Sequence, residues 1–248
     1  MSPSNGVKQN ENAKTFSRLA TLNPSTISLP IRLSHISYFL LGSSTAMSHI
    51  KQCLHYDPDS KPCKKVHKLL RSFEKDTAKA RNFIEGGAWK QGIKILDGED
   101  GLLAKFERAL ANASSPQEGV TYLPPQFSPK TKSQTRLELY ALACKAAVGA
   151  NELKKDKGAQ WCEEALAMDE NNIDGLVGRG EKLLKEEKWD EALRVFEAAF
   201  EQSGRSSQDV SDITLLELTY QIHNRLNKAQ KMLKVSKQKD YYKVGGES

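Results

Sequence analysis

Three features of the 248-residue sequence predict an all-α fold, a right-handed superhelix of antiparallel helix pairs with a long C-terminal helix. The first is Leu176 to Ala199, L-V-G-R-G-E-K-L-L-K-E-E-K-W-D-E-A-L-R-V-F-E-A-A, which sets small against large residues at helical spacing around a central turn. Small residues belong where two helices cross closely, and Gly180, Ala192 and Ala199 occupy those places, while Leu176, Leu183 and Phe196 fill the groove between them. The second is an echo of that turn upstream: Trp89 aligns with Trp189, Gly92 with Ala192 and Ile93 with Leu193. The separation is roughly three times a 34-residue helix-turn-helix period. The third is the stretch from about Asp209 to about Lys239, where Ile213, Leu216, Tyr220, Leu226, Ala229 and Leu233 form a core-facing stripe.

Composition fits this class and excludes others. A 38% hydrophobic share supports a core, 27% charge keeps a large surface wet, and nine prolines leave room for long helices. No run of about 18 apolar residues occurs, so no membrane-spanning helix is expected. The net charge of +6 is mild and interleaved along the chain, which describes a solvated surface rather than a nucleic-acid interface.

Residues 1–48 are rich in Ser, Thr, Asn and Pro and poor in charge, and are expected to be mostly disordered. Their one apolar cluster, Ile36 to Leu41 with Tyr38 and Phe39, is too short and too far from the start for a secretory signal, and reads instead as a fragment of helix. The repeat array is assigned to residues 49–207. Ile50 to Asp59 reads as the second helix of a unit whose first helix is absent, which would leave an unprotected interface at the start of the array. Asp97 to Gly101 breaks the helix after Leu96, and Leu102 to Ala113 resumes it with Leu102, Leu103, Phe106 and Leu110 on one face. Pro116, Pro124, Pro125 and Pro129 make Ser114 to Ser133 a loop. A middle unit follows. Leu137 to Ala147 carries a small-residue face, its partner is Gln160 to Met168, and Asp169 to Asn172 forms the closing turn. The long helix is assigned to residues 208–240, projecting beyond the last pair as a polar strut. Trp89, Trp161 and Trp189 are read as fillers of inter-helix gaps rather than as ligand contacts.

On these residues the chain resembles two things in turn. Leu176 to Ala199 resembles a tetratricopeptide repeat, with Gly204 where that family usually has a proline. Ala229 to Val244, A-Q-K-M-L-K-V-S-K-Q-K-D-Y-Y-K-V, resembles the junction between a last tetratricopeptide unit and the start of a J domain; Asp240, Tyr241, Tyr242 and Lys243 carry that likeness, and residues 241–248 are read as a residual J-domain start. From Ile50 to Val244 the chain is similar to the C-terminal repeat region of the endoplasmic-reticulum co-chaperones that join tetratricopeptide repeats to a J domain, the DnaJ subfamily C proteins of the PKR-inhibitor type. Its most specific pieces are Cys53-x9-Cys63, Lys188 to Ala192, and Asp240 to Lys243.

The resemblance implies a non-catalytic co-chaperone scaffold in endoplasmic-reticulum protein folding and the unfolded-protein response. Its partners would be unfolded or client proteins and a heat-shock chaperone, with no small-molecule substrate and no cofactor. A J domain acts through a His-Pro-Asp loop, and none of the five histidines here precedes a proline, so that activity is not expected and the chain reads as truncated. The resemblance places the protein in the lumen; the chain as written, without a signal peptide, would stay in the cytoplasm. The alternative is a general cytosolic tetratricopeptide adaptor, and a third reading is an RNA-associated helical repeat.

Cys53 with Cys63, and Cys144 with Cys162, are candidate disulfides, a reading tilted by the resemblance alone; four reduced, partly buried thiols in the cytosol are the other reading. The first bridge would contribute roughly 2.5 to 3 kcal/mol in the chain-entropy model. The cysteine spacing lacks the C-x2-C pattern of zinc sites, and no phosphate loop, zinc-protease motif or nucleophile elbow occurs, so no metal, catalytic or cofactor site is expected. A carboxylate clamp would need Lys and Asn one turn apart, where the best repeats hold Val177 with Glu181 and Ala143 with Ala147. Lys228, Lys231, Lys234 and Lys237 form a basic stripe without interleaved aromatics, the pattern of a solvated face.

Overall fold

Apolar residues at steps of three and four build helices throughout the computed structural model, which describes residues 28–115, 122–123, 133–153, 156–207 and 213–244. Among these residues there is no strand. The chain divides into two units at Leu139/Tyr140.

The first unit contains α1 (Ser28–His35), continued by a π-helical turn (Ile36–Leu40), then α2 (Thr45–Tyr56), α3 (Lys61–Glu85), α4 (Trp89–Leu96) and α5 (Leu102–Ser114). Helix α6 (Gln134–Gly149) carries the chain into the second unit, which holds α7 (Asp156–Met168), α8 (Ile173–Lys185), α9 (Trp189–Ser207) and α10 (Ile213–Val244).

Helix α1 corrects two expectations. Residues 28–48 are not disordered, and α2 does not lack a first helix, because α1 and its π-helical turn are that helix and pack on α2. The reason is burial. Phe39 is fully buried, with its ring 5.3 Å from Tyr38 and 5.4 Å from Phe106, and Tyr38 stacks on Phe73 at 5.9 Å. Polar groups here are satisfied inside the fold: Ser34 donates to the Ile31 carbonyl at 2.8 Å, and the hydroxyls of Thr135 and Ser133 donate to the carbonyls of Tyr38 and Phe39. Serine-rich composition misled the reading at Ser34, whose hydroxyl serves the backbone rather than solvent. Residues 1–27 lie outside the described residues, as does most of the proline-rich stretch.

Three helix pairs turn on one backbone plan. In α3–α4 the amide of Ala88 bonds the Phe83 carbonyl (2.8 Å) and that of Gly87 bonds Ile84 (3.1 Å). In α6–α7 Glu152 bonds Ala147 (2.9 Å) and Asn151 bonds Val148 (3.1 Å), and in α8–α9 Lys188 bonds Leu183 (3.0 Å) and Glu187 bonds Leu184 (3.3 Å). Each is a Schellman turn, which needs a left-handed residue just past the helix. Gly87 (φ 76°), Asn151 (φ 59°) and Glu187 (φ 60°) supply it. The predicted break at Asp97–Gly101 is present, and Leu102, Leu103, Phe106 and Leu110 are buried behind it.

Helix α10 differs from expectation in one respect. It packs along α9 through a buried seam of Ile222 and Ala229, flanked by half-buried Leu218 and Leu226, and beyond Ala229 its described side chains, to residue 238, are exposed or half-buried. Tyr220, assigned to the stripe, is 62% exposed. Ile222 lies two residues along, about 200° around the helix, and takes the inward place instead. The side chains of Ile213 and Leu216 lie outside the described residues.

Candidate functional site

The small-and-large pattern places its residues at one crossing in the second unit. Gly180 of α8 faces the Phe196 ring of α9 so closely that a Cβ would stand 2.6 Å from a ring carbon. Ala192, Phe196 and Ala199 are fully buried; Leu176 is buried, and Leu183 and Trp189 are half-buried around them. In the first unit Gly92 is buried, with its Cβ position 2.5 Å from Ile84, and Trp89 is half-buried beside it.

Two further glycines, not singled out in the sequence, make the other face of α8. A Cβ at Gly175 would meet Leu166 at 2.8 Å, and one at Gly178 would overlap the sulfurs of both Cys144 and Cys162. Their signal is the G-L-V-G-R-G run itself: interior glycine is about 1 kcal/mol worse than alanine in a helix, so three in one turn and a half need a packing reason. The side chain of Asn172 caps the helix by accepting from the Gly175 amide at 2.9 Å.

The structure brings Cys53 to Cys63 at the α2–α3 junction (Cα–Cα 6.3 Å) and Cys144 to Cys162 between α6 and α7 (4.7 Å), both within bridging reach. All four are buried. The positions a carboxylate clamp would use are occupied otherwise: Ala143, Ala147 and Val177 are buried, and Glu181 accepts from Arg225 of α10 at 2.9 Å. Asp240, Tyr241, Tyr242 and Lys243 fall within α10, and their side chains lie outside the described residues.

Two concave surfaces stand out, one in each unit. The first, about 710 Å³, is bounded by α1, α3 and α5. Its floor is apolar, with Phe73, Val66, Leu69 and Ala109, and the stacked rings of His35 and Tyr122 (4.9 Å, 14°) form part of its wall. Burial holds the His35 imidazole below its ordinary pKa, against a bond from Nδ1 to the Ile31 carbonyl. Lys61 and Lys65 of α3 and Lys105 and Arg108 of α5 line it, with no carboxylate among the described lining residues.

The second recess, about 610 Å³, lies against α7 and α8 and holds its own counter-charges. Glu163 accepts from Arg179, which raises the Arg179 pKa, and Lys182 and Lys188 pair with Glu186 at 4.0 and 2.8 Å. Helical repeats of this kind bind peptides along concave faces, and among the described residues the first groove is lined by cations without a carboxylate, whereas the second is lined by both signs.

No protein-family profile matches the chain. It is 59% identical over 232 residues to the tetratricopeptide repeat and J domain-containing co-chaperone DNJ1 of Cryptococcus neoformans var. grubii serotype A, covering 93% of this chain and 42% of that protein. It is 25% identical over 247 residues to DnaJ homolog subfamily C member 3 of Gallus gallus, covering 97% of this chain and 40% of that protein. The crystal structure of the P58(IPK) TPR domain superposes with a TM-score of 0.61 at 21% identity, covering 92% of this chain and 52% of the other. The fold is therefore all-α and of tetratricopeptide type. The chain spans about two fifths of the length of these curated relatives. It is a homologue of the tetratricopeptide and J-domain co-chaperones of DnaJ subfamily C, and it matches their tetratricopeptide region.

Proposed function

We propose that this chain is a non-catalytic, co-chaperone-type scaffold that binds unfolded client proteins in endoplasmic-reticulum protein folding and the unfolded-protein response, in a pathway shared with a heat-shock chaperone. The observation that carries the reading is the groove between α1, α3 and α5, whose apolar floor suits exposed segments of unfolded chains. The buried cysteine pairs at bridging distance support an oxidising compartment.

The test is light scattering from a chemically denatured reporter enzyme diluted into buffer with or without the chain. Suppression of scattering is expected, and Val66→Asp, on the half-buried floor, should weaken it several-fold with an unchanged melting curve. A chain that leaves scattering unaltered would sink the scaffold reading. Protein recovered from the lumen should take up no alkylating label before reduction; four labelled thiols would favour the cytosolic adaptor.

A further inference from the structure

We infer that the first-unit groove is selective, taking apolar peptide segments flanked by acidic residues; the inference rests on the scaffold reading and names the client chemistry of that site. The argument is the placement of charge. Lys61 and Lys65 lie one turn apart on α3 and so share a face, as do Lys105 and Arg108 on α5. The two helices thereby line one groove with cations from two sides, while Val66, Leu69, Phe73 and Ala109 give it an apolar floor.

Arg108 is engaged: it donates to the Glu99 carbonyl at 2.9 Å and lies 3.8 Å from Asp100, whose carboxylate points to solvent. The unbalanced charge is that of Lys61, Lys65 and Lys105, all exposed and with no carboxylate among the described lining residues. A cleft with low-dielectric walls focuses such a field, so a segment carrying Asp or Glu beside its apolar residues is drawn in, and one carrying Lys or Arg meets like charge.

The groove is not a carboxylate clamp. Its cations flank an apolar floor, so acidic side chains on either side of an apolar core satisfy it without a chain terminus. It also differs from a nucleic-acid site: Phe73 is buried against Tyr38 and His35 is buried against Tyr122, which leaves Tyr122 alone among the described rings where single-stranded bases need aromatic platforms in succession.

The test is fluorescence anisotropy with peptides that carry a neutral dye and share one Leu-Val-Leu core, flanked by two Asp, two Asn or two Lys on each side. The Asp-flanked peptide should bind about tenfold or more tightly than the Lys-flanked one at low salt, and the gap should close as salt shortens the range of charge. Lys65→Glu with Lys105→Glu, both at exposed positions, should reverse the order while circular dichroism melting stays unchanged. Equal affinities for the three peptides, an order unchanged in the reversed variant, or displacement of the Asp-flanked peptide by single-stranded RNA at lower concentration than by unlabelled peptide would each overturn the inference. If the chain still suppresses scattering in those cases, the scaffold reading stands without the selectivity. If it suppresses nothing and binds no peptide, both fall.

Discussion

The hairpins α3–α4 and α8–α9 turn on the same backbone hydrogen bonds but divide the space between their helices differently. With the turns in register, Ala80, Ile84, Gly92 and Leu96 stand where Gly180, Leu184, Ala192 and Phe196 stand, and all eight are buried. Where the second unit enlarges Leu96 to Phe196, it shrinks Ala80 to Gly180. Where it adds a methyl at Ala192, Ile84 gives way to Leu184, which branches one carbon further from the backbone. The interior is close-packed, so in one pair volume is traded across the crossing, and in the other the branch point moves away from the added methyl. A repeat is thus a rule about paired shapes and one left-handed turn residue, and residue identity at any one position follows from its partner.

The largest effect should come from breaking one such pair. Gly180→Ala drives a methyl into the Phe196 ring and should cost about 1 to 3 kcal/mol by chemical denaturation, with alanine's helix preference offsetting part of it. Adding Phe196→Leu restores the first unit's combination and should recover most of the loss. A double variant no better than the sum of its parts would show that the two hairpins do not share this rule.

Smaller effects are expected at the turns. A Cβ at Gly87 would meet nothing within 4 Å, so Gly87→Ala isolates the left-handed backbone and should destabilise by about 1 kcal/mol. Glu187→Gly should act in the opposite direction by a similar or smaller amount, since glycine adopts φ 60° without steric penalty but gains freedom when unfolded. Equal signs for the two substitutions would break the correspondence of the turns.

The smallest expected effect separates the units by pH. Burial lowers the pKa of His35, and of His49, so the unfolded chain takes up their protons first; stability is full above the ordinary histidine value near 6.5 and is lost as pH falls through it. The second unit carries the reverse case. Burial raises the Asp174 carboxyl, against the pull of Lys145, so its contribution is lost as pH rises above the ordinary carboxylate value. His35→Gln should flatten the acid limb of stability and Asp174→Asn the higher limb, both measured by melting temperature across pH.

Legibility in the sequence followed the physics of each element. The α8–α9 crossing was readable because a small residue one or two turns from a large one has few explanations other than close packing. Helix α1 was legible only in part: the apolar cluster from Ile36 to Leu41 stood out, but averaging composition over residues 1–48 hid Ile31 and Leu33 beside Ser34, whose hydroxyl bonds a nearby carbonyl. The middle turn escaped because Asn151, unlike tryptophan, is common in loops of every kind. The seam of α10 was misplaced at Tyr220 because tyrosine suits both a core edge and water, and only the packing against α9 decides. The groove could not be read at all: its cations at positions 61, 65, 105 and 108 come together only when α3 and α5 share a face.

Gly178 has a consequence for the order in which the protein matures. Because it has no side chain, the backbone of α8 lies directly over the sulfurs of Cys144 and Cys162, and no solvent path to them remains. An oxidant or a reductant meets those sulfurs only while α8 is undocked. A cross-link between Cys144 and Cys162, if the expected bridge forms, would therefore be made before α8 docks, and the arrival of α8 would seal it against later exchange.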